Sequence, residues 1–407
     1  HRDLHSFPTR RSSDLHQWHQ RHQRVFIQLE FNEIVMKAHE RLWKAMNHEE
    51  ADRVPTFSQT IEPQFIQNYD DECEIKGESS IPMVDLVVAK EIGLDSKWVH
   101  WGGHVAVDTQ PEIPTDLQNK LYNRKLGNAG HLYETNDRGE TWYVDGILKT
   151  PELLKDWISY VKSFTPKEDK QYQSFFEIWK QACEDDIVPI PTAGGPFYTS
   201  WASIGMDRLG YMMRKHPQLV KDLIMAWTNL TIEEHKCFFE KGIDMMFICD
   251  DHAFKDRVMI NPKQFEEFVE PAYKLMCDNA HKYGAKFIVH TDGDYSEEFP
   301  SLIRAGVDAV EPLEYESGMR LKPLKEKYGD KLTLIGNIPS SDALSVGTVE
   351  ETIKITKKCI LDAAEGGGYI LAPGSNIIGS AKVKNVLAMI ATVKKFGTYP
   401  IDRSILS

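Results

Sequence analysis

No stretch of the 407-residue chain approaches the ~18 consecutive apolar residues of a membrane-spanning helix, and the mean hydropathy is −0.42. A membrane location is not expected. Cysteine is sparse: Cys73, Cys183, Cys237, Cys249, Cys277 and Cys359 are all there is. No two stand in a Cys-x-x-Cys spacing, and the set does not form a disulfide framework. Reduced, mostly buried thiols of a cytoplasmic protein are expected instead. Positive charge is in deficit, 48 Lys and Arg against 61 Asp and Glu, for a net charge of −13. Nucleic acid is therefore not an expected partner, because phosphate binding wants a Lys/Arg excess. No Gly-x-Gly-x-x-Gly follows an early strand, which argues against a dinucleotide site. Gly and Pro together are 46 residues and aromatics reach 10%, which excludes a collagen-like or disordered chain.

The first 35 residues look foreign to the rest. They hold five of the 15 histidines, His1, His5, His16, His19 and His22. The stretch from His5 to Leu15 reads like translated adapter sequence, and it has no apolar core of a secretory signal. Residues 1–35 are expected to be a non-native leader, so these histidines are set aside as a metal site. Residues 36–400 are expected to form the functional domain, with 401–407 as a tail. Without the leader's five basic and four acidic residues, the body carries 43 against 57, about −14.

The body alternates strand and helix. Short apolar, β-branched runs occur at Val54–Phe57, Ile187–Ala193, Met245–Cys249, Lys286–His290, Ala309–Leu313, Leu332–Asn337 and Tyr369–Leu371. Amphipathic segments separate them: Pro217–Lys241, Pro262–Lys282, Ser296–Ala305, Val349–Ala364 and Ala381–Phe396. Pro217 and Pro262 stand where a first helical turn tolerates proline. Gly242, Gly284, Gly306 and Gly397 stand where helices end. Repeated strand–helix units predict a parallel sheet. An open doubly wound sheet and a closed (β/α)8 TIM barrel compete, and seven or eight units in one chain favour the barrel. Residues 58–186 are less regular and read as an early barrel turn carrying a large insertion.

In such a barrel the chemistry sits at the C-terminal ends of the strands. Met245–Cys249 runs into Asp250, Asp251 and His252, and Lys286–His290 runs into Asp292 and Gly293. The next strand carries Glu311 and Glu314, and the next ends at Asn337. Four consecutive strands thus deliver acids, a histidine or amides to one rim. His290, Asp292, Asp250 and Asp251 are the candidate catalytic groups. Arg53, His252, Asn337, Tyr369 and Glu314 are candidate substrate contacts. Each has a plainer alternative: a helix N-cap for the Asp pair, a satisfied histidine for His290, a structural ion pair for Glu311, a backbone tie for Asn337. Asp250 and Asp251 point to opposite faces if extended, so one of them is expected to face the pocket.

Asp52-Arg53-Val54-Pro55, Gly195-Pro196-Phe197, Asp250-Asp251 with Asn261-Pro262, His290-Thr291-Asp292-Gly293, the stretch from Gly306 to Glu314, Gly336-Asn337-Ile338, Gly367-Gly368-Tyr369 and Tyr399-Pro400 follow in order. This set resembles the uroporphyrinogen decarboxylase superfamily over about residues 36–400. That superfamily includes the haem-pathway decarboxylase and corrinoid-linked methyltransferases. The resemblance implies a (β/α)8 barrel enzyme. The decarboxylase branch carries an early arginine-rich motif that grips the substrate's carboxylates; here only Arg53 matches, and the body is acidic. The methyltransferase branch holds zinc through His-x-Cys and a later Cys; here those positions read His290, Asp292 and Ser375. His290 and Asp292, with Glu311, could still hold a divalent metal through nitrogen and oxygen. The expected function is transfer of a methyl group between a small methylated substrate and a corrinoid carried by a partner protein. Tetrapyrrole decarboxylation and a non-catalytic ligand-binding barrel are the alternatives.

Overall fold

The computed structural model describes residues 36–406 apart from 74, 76–82, 101–103, 119–120, 122–123, 137–140 and 168. The reading of residues 1–35 as a leader lies outside the described residues. Eight parallel strands pair in chain order: β1 (Phe57–Ser58), β2 (Ser96–His100), β3 (Val188–Gly194), β4 (Met245–Cys249), β5 (Lys286–His290), β6 (Ala309–Leu313), β7 (Thr333–Ile338) and β8 (Tyr369–Pro373). A parallel bridge between Thr56 and Leu371 joins β8 back to β1 and closes the barrel. Helices follow the strands, so the (β/α)8 expectation holds. No helix among the described residues is long and apolar enough to cross a membrane.

Strand alternation sorts the side chains into two cores. Phe57, Trp98, Ile190, Met245, Phe247, Ile288, Ala309, Ile335 and Ile370 fill the barrel interior. Met246, Ile248, Phe287, Val289, Val310 and Leu334 face outward into the larger core under the helices. The helix Ala38–Met46 plugs the floor of the barrel: Ala38, Leu42, Ala45 and Met46 pack with the interior set. The hydroxyl of Thr333, on β7, donates to its Ala45 carbonyl at 3.1 Å. Burying each large interior side chain is worth ~1.5–3 kcal/mol, and Phe57 stacks on Phe247 with ring centres 5.0 Å apart.

Two sequence expectations shift. β2 was inside the region read as irregular, because Lys97 interrupts its apolar pattern. That lysine is an outward position, buried and ion-paired to Asp85 at 2.7 Å. The amphipathic run Pro262–Lys282 breaks at Val269 into Pro262–Phe268 and Glu270–Lys282. Pro271 has no N–H to give and its ring clashes with the preceding turn, so the helix cannot run through.

The insertion contains its own antiparallel sheet of Arg124–Leu126, His131–Thr135 and Thr141–Gly146. A second pair joins His104–Ala106 to Phe164–Pro166. The insertion anchors to the body at Gly146, where a Cβ would run into the main-chain carbonyls of Ala202 and Ser203. Only glycine allows that approach.

Candidate active site

The mouth of the barrel is built at the ends of β4, β5 and β6. His290 ends β5 and points inward. Its Nδ1 bonds Glu311 Oε2 at 2.7 Å, and the other Glu311 oxygen accepts from Gln59 Nε2 at 2.8 Å. Trp98 lies edge-on to the His290 ring, centres 4.9 Å apart. With Nδ1 engaged, Nε2 faces two carboxylates, Asp251 Oδ1 and Asp292 Oδ1, each 3.8 Å away. Burial alone would push the ring's pKa down; Glu311, Asp292 and Asp251 outweigh it and hold it at about 9. The Asp292 carboxyl is pushed up to about 6, chiefly by burial; His290 pulls it back, while Asp251, Glu314 and Glu311 repel it further up. One ligand atom each from Asp251, His290 and Asp292 lies within 4.8 Å of the others.

Asp292 also lines a cleft of about 420 Å³ on the same face, with Phe254, Lys255, Glu314, Glu316, Ser340 and Ser375. The cluster and the cleft therefore form one site. Glu314 takes a place in it, accepting from the Gly293 N–H at 2.8 Å and from Ser317 Oγ at 2.6 Å. Ser375 is there too, on the loop after β8.

Several sequence candidates are placed elsewhere. Asp250 points outward from β4, away from the cluster. Its carboxylate accepts the N–H groups of Phe197 and Tyr198 and the Tyr273 hydroxyl at 2.8 Å. It clamps the start of the helix Pro196–Ile204, where unpaired N–H groups and the helix dipole favour an anion. Burial still lifts its pKa to about 6. Gly195 is required beside it, since a Cβ there would collide with the Asp250 side chain. A catalytic role for Asp250 is thus corrected to a structural one. His252 is fully buried, ion-paired with Glu298 and enclosed by Phe265, Tyr273 and Tyr295. It reaches no substrate. Tyr369 faces the outer core, and its hydroxyl donates to the Gly336 carbonyl at 2.7 Å. Asn337 donates to the carbonyls of Leu313 and Met319, tying loops together. Glu311 uses both oxygens to hold His290 and Gln59, so it orients the ring and is not a free metal ligand.

Arg53 lies at the opposite, N-terminal end of the barrel. Its guanidinium pairs with Asp95 at 2.7 and 2.8 Å, and the same carboxylate pairs with buried Arg41 at 2.6 Å. It cannot reach a substrate in the cleft. Sequence reading missed Gln59 and Trp98. Gln59 stands in the stretch after Arg53, and its signal is a buried amide two residues beyond an inward Phe57. Trp98 was hidden with β2.

The family model described as "Uroporphyrinogen decarboxylase (URO-D)" matches residues 150–396. A methylated-thiol–coenzyme M methyltransferase of Methanosarcina mazei is 24% identical over 199 residues, 48% of this chain and 47% of that protein. A methylcobamide:CoM methyltransferase of Methanosarcina barkeri strain Fusaro is 27% identical over 215 residues, 53% of this chain and 60% of that one. The chain spans about half the length of the curated relatives it matches. In fold it resembles a solved methyltransferase from Methanosarcina mazei, with a TM-score of 0.59 at 20% identity over 89% of this chain and 99% of that chain. With the barrel, the inward His290 and the family match over residues 150–396, the chain belongs to the uroporphyrinogen decarboxylase family.

Proposed function

We propose that this chain is a methyltransferase that moves a methyl group between a small methylated compound and a corrinoid held by a partner protein. One observation carries the reading: Asp251, His290 and Asp292 converge at the barrel mouth, and Asp292 opens onto the cleft. The names of the relatives at 24–27% identity support the same class.

The residues fit a divalent ion. One imidazole nitrogen and two carboxylate oxygens converge, and the Asp292 carboxyl carries repulsion that a cation would relieve. Such a set suits zinc or a harder ion. A metal bound there would supply Lewis acidity towards an ether or alcohol oxygen of the substrate.

The chain's own groups prepare the site. Glu311 fixes the His290 ring and leaves Nε2 turned to the cluster, as a carboxylate behind an imidazole does. Gln59 holds Glu311 in turn. The cleft's serines and Glu314 offer hydrogen bonds to a small polar substrate. Burial and the neighbouring carboxylates push the Asp292 carboxyl up to about 6 without a metal, and a cation held there would favour its charged form. Decarboxylation of a many-acid tetrapyrrole is disfavoured, because Arg53 is at the far end and Lys255 is the sole cation among the residues lining the described cleft.

The test is a methyl-transfer assay with cob(I)alamin and a panel of methanol, methylated thiols and aryl methyl ethers. The expected result is methylcobalamin from at least one donor, with His290→Ala slower by about 100-fold or more, of the order seen when a catalytic group is removed. Carbon dioxide release from uroporphyrinogen, with no methylcobalamin from any donor, would overturn it.

A further inference from the structure

Another cavity, of about 290 Å³, lies between the insertion and the helix Pro217–Phe239. Its size is near the lower end of ordinary small-molecule sites, ~300 Å³. None of Asp251, His290 and Asp292 is among the described residues that line it. The insertion contributes His104, His131 and Lys167, the last following the short strand Phe164–Pro166. The helix contributes Trp227, Thr231 and Glu234, spaced to share one face. His131 Nδ1 meets the Tyr133 hydroxyl at 3.0 Å and its Nε2 meets the Thr199 carbonyl at 2.9 Å, which fastens the insertion to the body. Other lining groups are unmet. Trp227 Nε1 and His104 Nδ1 are buried without a hydrogen-bond partner. The hydroxyl of buried Thr231 also makes no hydrogen bond among the described residues. Buried polar groups are ordinarily paired, so three unmet ones around one cavity point to a ligand that partners them.

We propose that this cavity binds a small zwitterion of the α-amino-acid type. Charge selects that class. Among the described lining residues, Lys167 and the buried Glu234 are the acidic and basic ones. Burial lowers the pKa of both histidines, His104 to about 4 with Lys167 adding to the effect, so neither ring is charged at neutral pH. One ammonium and one carboxylate therefore share the cavity, which is neutral overall. A simple anion would meet Glu234 and a simple cation would meet Lys167, each at a repulsive cost in a part-buried place. A ligand with both charges and no net charge meets each with its opposite. Lys167 takes the carboxylate, with the Thr231 hydroxyl, the Trp227 N–H and the Nδ1–H tautomer of His104 as further donors. Glu234 takes the ammonium group. The rings of Trp227 and His104, with centres 5.7 Å apart, give the ligand's side chain an apolar wall. The bound ligand joins insertion to body and stabilises the folded chain by mass action. The site stands apart from the metal cluster and from methyl transfer.

The test is titration calorimetry on the full-length chain with probes of one shape: L-leucine, 4-methylpentanoate, which lacks the amine, and 3-methylbutylamine, which lacks the carboxylate. Leucine is expected to bind at least about 10-fold more tightly than either analogue, as for the loss of a charged hydrogen-bonding partner. Lys167→Gln is expected to weaken leucine about 10-fold or more and Thr231→Val about 3-fold or more, with folding checked by circular dichroism. Lys167 is half-buried, so its variant tests the site even where Thr231→Val fails to fold. His290→Ala is expected to bind leucine as the wild type does. No leucine binding by the folded wild type at millimolar concentration overturns the proposal. An analogue that binds as tightly as leucine overturns the zwitterion. Leucine binding that survives Lys167→Gln, or is lost in His290→Ala, puts the ligand elsewhere and overturns the site.

Discussion

Glu311 decides what His290 can do. A carboxylate buried at the foot of the ring supplies both a hydrogen bond and a charge, and Gln59 keeps it in place. Glu311→Gln keeps the shape and removes the charge. The His290 pKa, about 9 in the metal-free chain, is expected to fall by at least about one unit, equivalent to ~1.4 kcal/mol of lost preference for the charged ring. NMR titration of the imidazole reads this directly, and an unmoved pKa would mean that Asp251 and Asp292 alone set it. Gly195 tests the other carboxylate. Gly195→Ala drives a methyl group into the Asp250 side chain and is expected to cost about 1–3 kcal/mol in urea unfolding. A change within about 0.5 kcal/mol, as at an ordinary surface site, would show that the helix start tolerates movement. The sequence carried the alternation that sends Asp250 and Asp251 to opposite faces. It could not say which faced inward, because that depends on the inward phase of β4, set by Phe247 packing against Phe57 and Trp98.

At the scale of elements, the floor helix Ala38–Met46 is held by packing, by the ion pairs of buried Arg41 with Asp52 and Asp95, and by a histidine–carboxylate pair. His39 Nε2 meets the Asp244 carboxylate at 2.9 Å. The Asp244 hydrogen bond is the largest cause raising the His39 pKa above its ordinary value, against a smaller opposing effect of burial. A histidine whose folded pKa is raised contributes stability that is complete below the unfolded pKa of about 6.5 and is lost as pH rises through the folded value. His39→Gln keeps a hydrogen bond but no charge. Its melting temperature should lie below that of the wild type at pH 5.5, and the gap should close as the pH rises through the raised folded pKa of His39. A gap that stays constant over this range would assign the pair no electrostatic role. The amphipathic pattern from Met36 to Met46 was plain in the sequence, since Leu42 and Met46 recur at helical spacing. β2 was not, because a buried lysine satisfied by Asp85 has the same letters as an exposed one.

For the whole molecule, parallel closure explains why the polar strand ends share one rim. Seven of the eight barrel strands lie in runs readable from sequence at or within a few residues of their observed limits, because parallel strands covered on both faces are written in near-continuous apolar residues. The insertion was not readable: its strands are only three to six residues long and carry no regular apolar alternation, and short antiparallel pieces give a weak signal. Arg53 was the other limit. Its number places it near a strand, but only closure of the barrel reveals that it belongs to the N-terminal face with Arg41 and Asp95. A carboxylate-binding role disappears with that assignment, and what remains at the C-terminal face is an acidic mouth with a histidine at its centre.

Whether that mouth is a metal centre is settled by one quantity, the zinc bound per folded chain after dialysis, measured by elemental analysis on the wild type and on His290→Ala. The account predicts close to one zinc per wild-type chain and a loss of at least about ten-fold in affinity for the variant, as expected when a ligand is removed. A folded wild type that retains no zinc, or a His290→Ala chain that binds zinc as tightly as the wild type, would contradict it.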